Sequence, residues 1–372
     1  MSAGLDIAFF GSSLVSAYWN GAATYYRGLL RALAERGHHI TFYEPDAYGR
    51  QAHRDIENPL WASVVVYRAE RDEDAWRVLE QARGADLLVK ASGVGVFDAL
   101  LETGVLEVRR PGGMVAFWDV DAPATLDRLR RNPLDPFIAL VPGYDFVFTY
   151  GGGDTVVSAY AALGARRCIP IYNALDPLTH HQVHPVPRFR ADLTFVGNRL
   201  PDREARVSEF FFRAARLLPS SRLLLGGNGW ETKPMPANVT HLGHVFTREH
   251  NGLNCSATAV LNVNRDCMAA YGFSPPTRVF EAAGAAACLI TDTWPGVDRF
   301  LEPGREVLVA RDGAEVAAHV LSLTPARARQ IGRAARARVL AEHTYGHRAA
   351  QLEDVLGIRG EAPRAWPREA SA

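Results

Sequence analysis

The chain has 372 residues, 48% of them hydrophobic and 22% charged, and 41 basic residues balance 41 acidic ones to a formal net charge of zero. That length exceeds one ordinary domain and predicts two. An evenly mixed, neutral charge excludes the basic excess that a nucleic-acid or anionic-membrane partner calls for.

Lys90 and Lys233 are the only lysines, so Arg is the default cation and a functional Arg has to be argued from its position. Cys168, Cys255, Cys267 and Cys288 stand far apart with no CxxC pair, which excludes a metal cluster or redox motif. They read as small buried hydrophobes in a reducing compartment. The stretch MSAGLDIAFFGSS lacks the basic start and long apolar core of a signal peptide. No run approaches the roughly 18 apolar residues of a membrane helix. The expectation is a soluble cytoplasmic protein.

Taken in order, LDIAFFGSS predicts a strand, GAATYYRGLLRALAERGHH a helix with apolar spacings of three and four, and HITFYEP a second strand. That β–loop–helix–β unit opens a parallel doubly wound sheet. VVVYRA, ADLLVKAS, MVAFWDVD, YDFVFTYGGG and RCIPIYNALD continue as strands. EDAWRVLEQARG, VFDALLETGVLEVRR and DTVVSAYAALG are the helices between them. Residues 1–176 therefore read as one Rossmann-like domain, and the Pro- and His-rich PLTHHQVHPVPRFR (177–190) as a linker.

The alternation restarts with strand ADLTFVGNR, helix PDREARVSEFFFRAARLLP, strands SRLLLGGNG and VTHLGHV, and TREHNGLNCS as a loop with a short helix. ATAVLNVN and REVLVARD are further strands, and helices run from about 313 to 357. The fold class expected is α/β, with two Rossmann-like domains facing across a cleft. The second occupies 191–345, a final helix at 346–360 crosses back to the first, and 361–372 is a flexible tail. Ligands of such sheets lie at the carboxyl ends of strands, so the loops there carry the chemistry.

Four of these loops are informative. GSSLVSAYWNGAATYYR leads into a helix amino-terminus, whose free N–H groups suit an anion or polar ligand, with Asn20, Gly21 and Thr24 as its candidate acceptor- or sugar-binding residues. It is not GxGxxG, and only Glu44 stands near the place of the acidic partner, so a dinucleotide fingerprint is weak. An ordinary capped loop is the alternative, and Tyr25 and Tyr26 fit a helix core as well as a stacking platform.

In FWDVDAPATL, Asp119 and Asp121 share one face of an extended strand at its carboxyl end. Paired carboxylates raise at least one pKa, which suits a catalytic base or a hydroxyl ligand; Asp121 is equally placed to cap the helix near Pro123. In TFVGNRLPDREAR, Arg199 and Arg203 oppose the helix dipole unless a diphosphate lies between them, or else pair with Asp202 and Glu204. In YGFSPPTRVFEAAGAAACLITD, Gly272, Ser274 and Thr277 can present N–H and hydroxyl groups to phosphate. Glu281, one turn on, can accept from both ribose hydroxyls or pair with Arg278 at i−3.

The segments VGNRLPDR, LLLGGNGW, HLGHV, LNVNR and SPPTRVFEAAGAAACLITD…PGVDRFLEPGREVLVA stand in the order seen in GT-B glycosyltransferases. They resemble most the CgeB-like (spore-maturation-type) branch, with its glycosyltransferase group 1-like C-terminal domain, and most strongly over residues 192–345. The resemblance implies a nucleotide-diphosphate sugar held by the second domain, with Arg199 and Arg203 on the diphosphate and Glu281 on the ribose. It puts Gly227, Asn228, His244 and Val245 near the base, and Pro275 and Arg278 in the same donor loop. Larger retaining families carry a second glutamate eight positions earlier, where this chain has Phe273. Arg265, Tyr271 or Ser274 would then meet the sugar instead.

The activity implied is transfer of a sugar, from a UDP-sugar by preference, to a small-molecule, glycan or protein acceptor. It is expected to need no metal and no cofactor and to retain configuration. A nucleotide-sugar epimerase on the same scaffold and a non-catalytic nucleotide-sugar or glycan-binding protein are the alternatives.

Overall fold

The computed structural model describes residues 4–18 and 20–358, so the tail expected at 361–372 lies outside the described residues. The chain divides into two α/β units: one runs to Tyr172 and resumes at Tyr345, and the other is Asn173–Thr344.

The first unit holds β1 (Asp6–Phe10), β2 (His39–Asp46), β3 (Ala62–Arg68), β4 (Leu87–Ala91), β5 (Met114–Asp119), β6 (Phe146–Thr149) and β7 (Cys168–Pro170). They form one parallel sheet in the order β3-β2-β1-β4-β5-β6-β7. All five residues of β4 are buried, as are four of the five of β1, because helices cover both faces of a parallel sheet. The order reverses between β1 and β4, which makes their carboxyl ends the crevice of this sheet.

The helix Ala23–Glu35 buries Tyr25 and Tyr26, each 1% exposed, so this aromatic pair is core. The last helix, Tyr345–Leu356, packs on that same helix. Gly28 makes room for it: a Cβ there would lie 2.1 Å from the Tyr345 ring. Tyr345 also meets Tyr25 edge-on at 5.9 Å, and Glu353 pairs with Arg36 and, at 3.1 Å, with His38.

The second unit repeats the plan with β8 (Ala191–Val196), β9 (Leu223–Gly226), β10 (Val239–Gly243), β11 (Ala257–Asn262), β12 (Leu289–Asp292) and β13 (Leu308–Ala310). These are parallel in the order β10-β9-β8-β11-β12-β13, reversing between β8 and β11. Phe195, Phe211, Leu225, Trp230, Leu261 and Ile290 are among its core.

The helix expected over 201–219 is interrupted. Ser208–Phe212 is a π segment between helical Pro201–Val207 and Arg213–Leu217. Phe210, Phe211 and Phe212 are all buried. On a regular helix three consecutive side chains spread over about 200°, so one would turn outward; the wider turn brings all three inside. The Pro- and His-rich stretch 177–190 falls within the second unit, and its Phe189 packs with Val196, Leu224 and Leu253.

All four cysteines are free; Cys288 is buried as expected, while Cys168, Cys255 and Cys267 are half-buried. Among the described residues no helix is long and apolar enough to cross a membrane.

Candidate functional site

The carboxyl ends of β8, β9 and β10 are knitted together by their loops. Gly197 N–H donates to the Gly226 carbonyl at 2.9 Å, and Gly227 N–H to that of Gly243 at 2.7 Å. Gly227 has φ +120°, and a Cβ there would stand 2.3 Å from the Gly197 carbonyl oxygen. Asn198 Oδ1 accepts from the Asn228 N–H at 3.0 Å, and Trp230 Nε1 donates to the Gly197 carbonyl at 2.7 Å. Two backbones thus touch at a point that only glycine permits, and they form a glycine floor at the strand ends.

Arg203 lies over this floor: a Cβ on Gly197 would come within 2.6 Å of its guanidinium. Arg199 is committed elsewhere, with two parallel bonds of 2.8 Å to Glu204, which Lys233 also reaches at 2.7 Å. Those two cations hold the Glu204 carboxyl down at about 2, Arg199 contributing most. Of the two pairings expected for these arginines, the structure forms Arg199–Glu204, while Asp202 pairs with Arg265 at 2.5 Å. Val245 is buried core against Gly226, and His244 is exposed beside Phe246 at 4.6 Å between ring centroids.

The loop between Tyr271 and the helix Thr277–Gly284 is tightly built. Gly272 has φ +68° and abuts Pro295, where a Cβ would be 2.7 Å from the Pro295 Cβ. Phe273 is left-handed at φ 45°, and its N–H donates to the Pro295 carbonyl at 2.7 Å. Its ring fills the space above Gly296, so the place of the earlier glutamate is taken by an apolar anchor. Ser274 is buried, its hydroxyl donating to the Gly272 carbonyl at 2.9 Å, and Pro275 accepts from Asn173 Nδ2 at 2.9 Å. A pocket of about 580 Å3 opens nearby, lined by Arg206, Asp266, Thr293, Trp294 and Pro295. Arg206 pairs at 2.6 Å with buried Asp292, at the carboxyl end of β12.

Glu281 is 5% exposed, and its partners are two residues that sequence reasoning passed over. Oε1 lies 4.0 Å from His180 Nε2, and Oε2 lies 3.8 Å from His250 Nδ1. Burial pushes the carboxyl up, but His180, His250 and half-buried Arg278 outweigh it, and Thr277 adds a hydrogen bond, so it stays below the ordinary range. The expected pairing with Arg278 is therefore one electrostatic contribution among three. A His-rich stretch was the one available signal for His180.

In the first unit, Asn20 is buried and spends its side chain on its own loop. Nδ2 donates to the Ser13 and Ser16 carbonyls at 2.8 and 3.0 Å, and Oδ1 accepts from Ser12 at 2.9 Å. Gly21 is exposed and Thr24 half-buried. Glu44 is fully buried and accepts from the Ser13 hydroxyl and the Leu14 N–H at 3.1 and 2.6 Å, so it braces this loop.

Asp119 ends β5, and Asp121 lies in the turn that follows it. Asp119 is fully buried and accepts from Ser92 (2.8 Å), Thr125 (2.9 Å), Tyr160 (2.5 Å) and the Asp121 N–H (3.1 Å). Burial raises its pKa, partly offset by those bonds, the Asp121 N–H among them. Asp121 is half-buried at the N-cap of the helix Ala122–Arg131, where its side chain makes no capping bond. Among the described residues, the cluster of His180, His250 and Glu281 is the group able to hold a metal ion.

Residues 203–354 match the family model described as "Glycosyl transferase-like". No curated protein matches the sequence. Similar solved structures include sucrose-phosphate synthase from Thermosynechococcus elongatus, at TM-score 0.68 and 14% identity, covering 95% of this chain and 98% of that one. Anabaena HepE, solved with UDP and glucose, has TM-score 0.66 and 13% identity over 95% of this chain and 99% of its own. T4 phage BGT, in complex with its UDP-glucose substrate, has TM-score 0.59 and 13% identity, covering 95% and 98%. The two parallel-sheet units are thus the GT-B glycosyltransferase fold, and a glycosyl transferase-like domain spans residues 203–354.

Proposed function

We propose that this chain is a glycosyltransferase that moves a sugar from a nucleotide-diphosphate sugar, a UDP-sugar in the first instance, to an acceptor hydroxyl. One observation carries the reading. The Gly197–Gly227 contact forms a glycine floor at the carboxyl end of β8, with the Arg203 guanidinium against it. That is an anion-binding surface at the switch point of the second sheet. HepE and T4 BGT, with UDP or UDP-glucose bound, support uridine as the base. The CgeB-like branch is our assignment on the segment SPPTRVFEAAGAAACLITD.

In this reading Arg203 and the N–H groups opening the helix Thr277–Gly284 meet the charge that grows on the departing diphosphate. That stabilisation needs no metal at the leaving group. Glu281, held ionised, accepts from the ribose. Asp121 accepts a hydrogen bond from the acceptor hydroxyl, whose proton passes to the departing diphosphate on the same face of the sugar, while Asp119, closed in by four donors, fixes the strand end beside it. Transfer proceeds with retention, in the cytoplasm.

The test is release of UDP from a panel of UDP-sugars offered with small-molecule, glycan and protein acceptors. Acceptor-dependent release, lost in Asp121→Asn with donor binding kept, is the expected result. Phe273, in place of a carboxylate, favours one second reading, a protein that binds the donor without turning it over. Donor binding with no product from any acceptor would establish that reading instead.

A further inference from the structure

The trio of His180, His250 and Glu281 is built more carefully than a nucleotide site needs. We propose that these three side chains bind a divalent ion of the zinc class, as a structural metal site of the second unit.

Each residue offers one donor atom, and the three donors lie within 4.8 Å of one another. Zinc takes imidazole and carboxylate donors at about 2.0–2.2 Å, which places donors about 3.4 Å apart. The three donor atoms, within 4.8 Å of one another, close to that value with small side-chain rotations. His180 is 2% exposed, and its Nε2 has no hydrogen-bond partner; neither has His250 Nδ1. Two buried ring nitrogens aimed at one carboxylate and left unbonded are costly unless a ligand joins them.

The surroundings fix the His250 ring and the backbone that carries His180. His250 Nε2 lies 3.3 Å from the Val245 carbonyl, and donation there leaves the Nδ1 lone pair facing Glu281. Asn251, the next residue, clamps the backbone on either side of His180: its Nδ2 donates to the Thr179 carbonyl at 2.9 Å, and its Oδ1 accepts from the His181 N–H at 3.1 Å. Gly284 lets this segment approach, since a Cβ there would be 2.8 Å from the His180 carbonyl oxygen.

Arg278 is the opposing charge, acting on both Glu281 and His250, and it limits affinity without occupying a donor. A carboxylate that binds through one oxygen keeps the other for a ribose hydroxyl. The metal site is therefore compatible with the donor reading, and it is measured with no nucleotide present.

Full-length protein stripped with EDTA is given Zn2+ or Co2+ alone, desalted and assayed by elemental analysis, with the visible absorption of bound Co2+ as a second readout. One equivalent of zinc per chain is expected, with the intense visible bands of four-coordinate Co2+. His180→Gln and His250→Gln should lose stoichiometric binding. Asn251→Ala, which keeps all three ligands, should bind about 10–100-fold more weakly. Should the His variants not fold, the wild-type cobalt spectrum and Asn251→Ala still decide. Substoichiometric zinc in the wild type, or equal zinc in wild type and folded variants, would overturn the proposal. Nucleotide titration of the stripped protein tests the donor reading separately.

Discussion

At the scale of single residues, charge placement separates groups that spacing leaves equivalent. Arg199 and Arg203 are four apart in sequence, yet Arg199 is locked to Glu204 while Arg203 lies over the glycine floor. The sequence offered both pairings, and nothing in the spacing chooses between them. The choice has a pH signature. Glu204 sits at about 2 because Arg199 and then Lys233 favour its charged form. A depressed carboxyl contributes stability that is present above its unfolded pKa and is lost as pH falls through its folded one. The window therefore lies between the ordinary glutamate value, about 4.3, and about 2. The group is surface-exposed, so the stability involved is small. In Arg199→Ala the Glu204 carboxyl should titrate higher, toward the ordinary range, as followed by carbon-detected NMR. An unmoved titration would mean that Lys233 alone sets the value.

Other single residues were legible only as types. Glu281 stood out as a carboxylate in an apolar helix, but His180 and His250 approach it from positions 101 and 31 residues earlier, and no local pattern reports such a meeting. Asp119 looked like half of a reactive pair, and its four donors come from two helices, the turn after β4 and its own loop.

Among the elements, strands were legible because buried parallel strands read as near-continuous apolar runs, such as LLVKA and DIAFF. The π segment was not, since its cause is the core that receives Phe210 to Phe212. PLTHHQVHPVPRFR looks like a linker by composition; in the structure, tertiary bonds to Asn251 and packing of Phe189 tie it into the second unit. The glycine crossing is the element on which the donor site rests. Gly227→Ala puts a Cβ 2.3 Å from a backbone oxygen at φ +120°, and neither backbone can yield without breaking the strand-end bonds. A loss of about 1–3 kcal/mol in urea unfolding is expected, with weaker nucleotide binding. Wild-type stability in that variant would show the crossing to be pliable.

Across the whole molecule, two sheets of seven and six parallel strands share one winding, each reversing beside its first strand. Repetition of the βα alternation made that plan readable, and the return of the last helix to the first unit followed from resemblance. The central claim is that the second unit holds a nucleotide diphosphate with Arg203 over the glycine floor. Calorimetric titration with UDP, GDP, ADP and dTDP, on wild type and on Arg203→Ala, tests it most directly. The account predicts that one nucleotide, UDP, binds the wild type and binds Arg203→Ala about 10–100-fold more weakly, the worth of a charge-assisted hydrogen bond. Binding of no nucleotide, or equal affinity in both proteins, would contradict it.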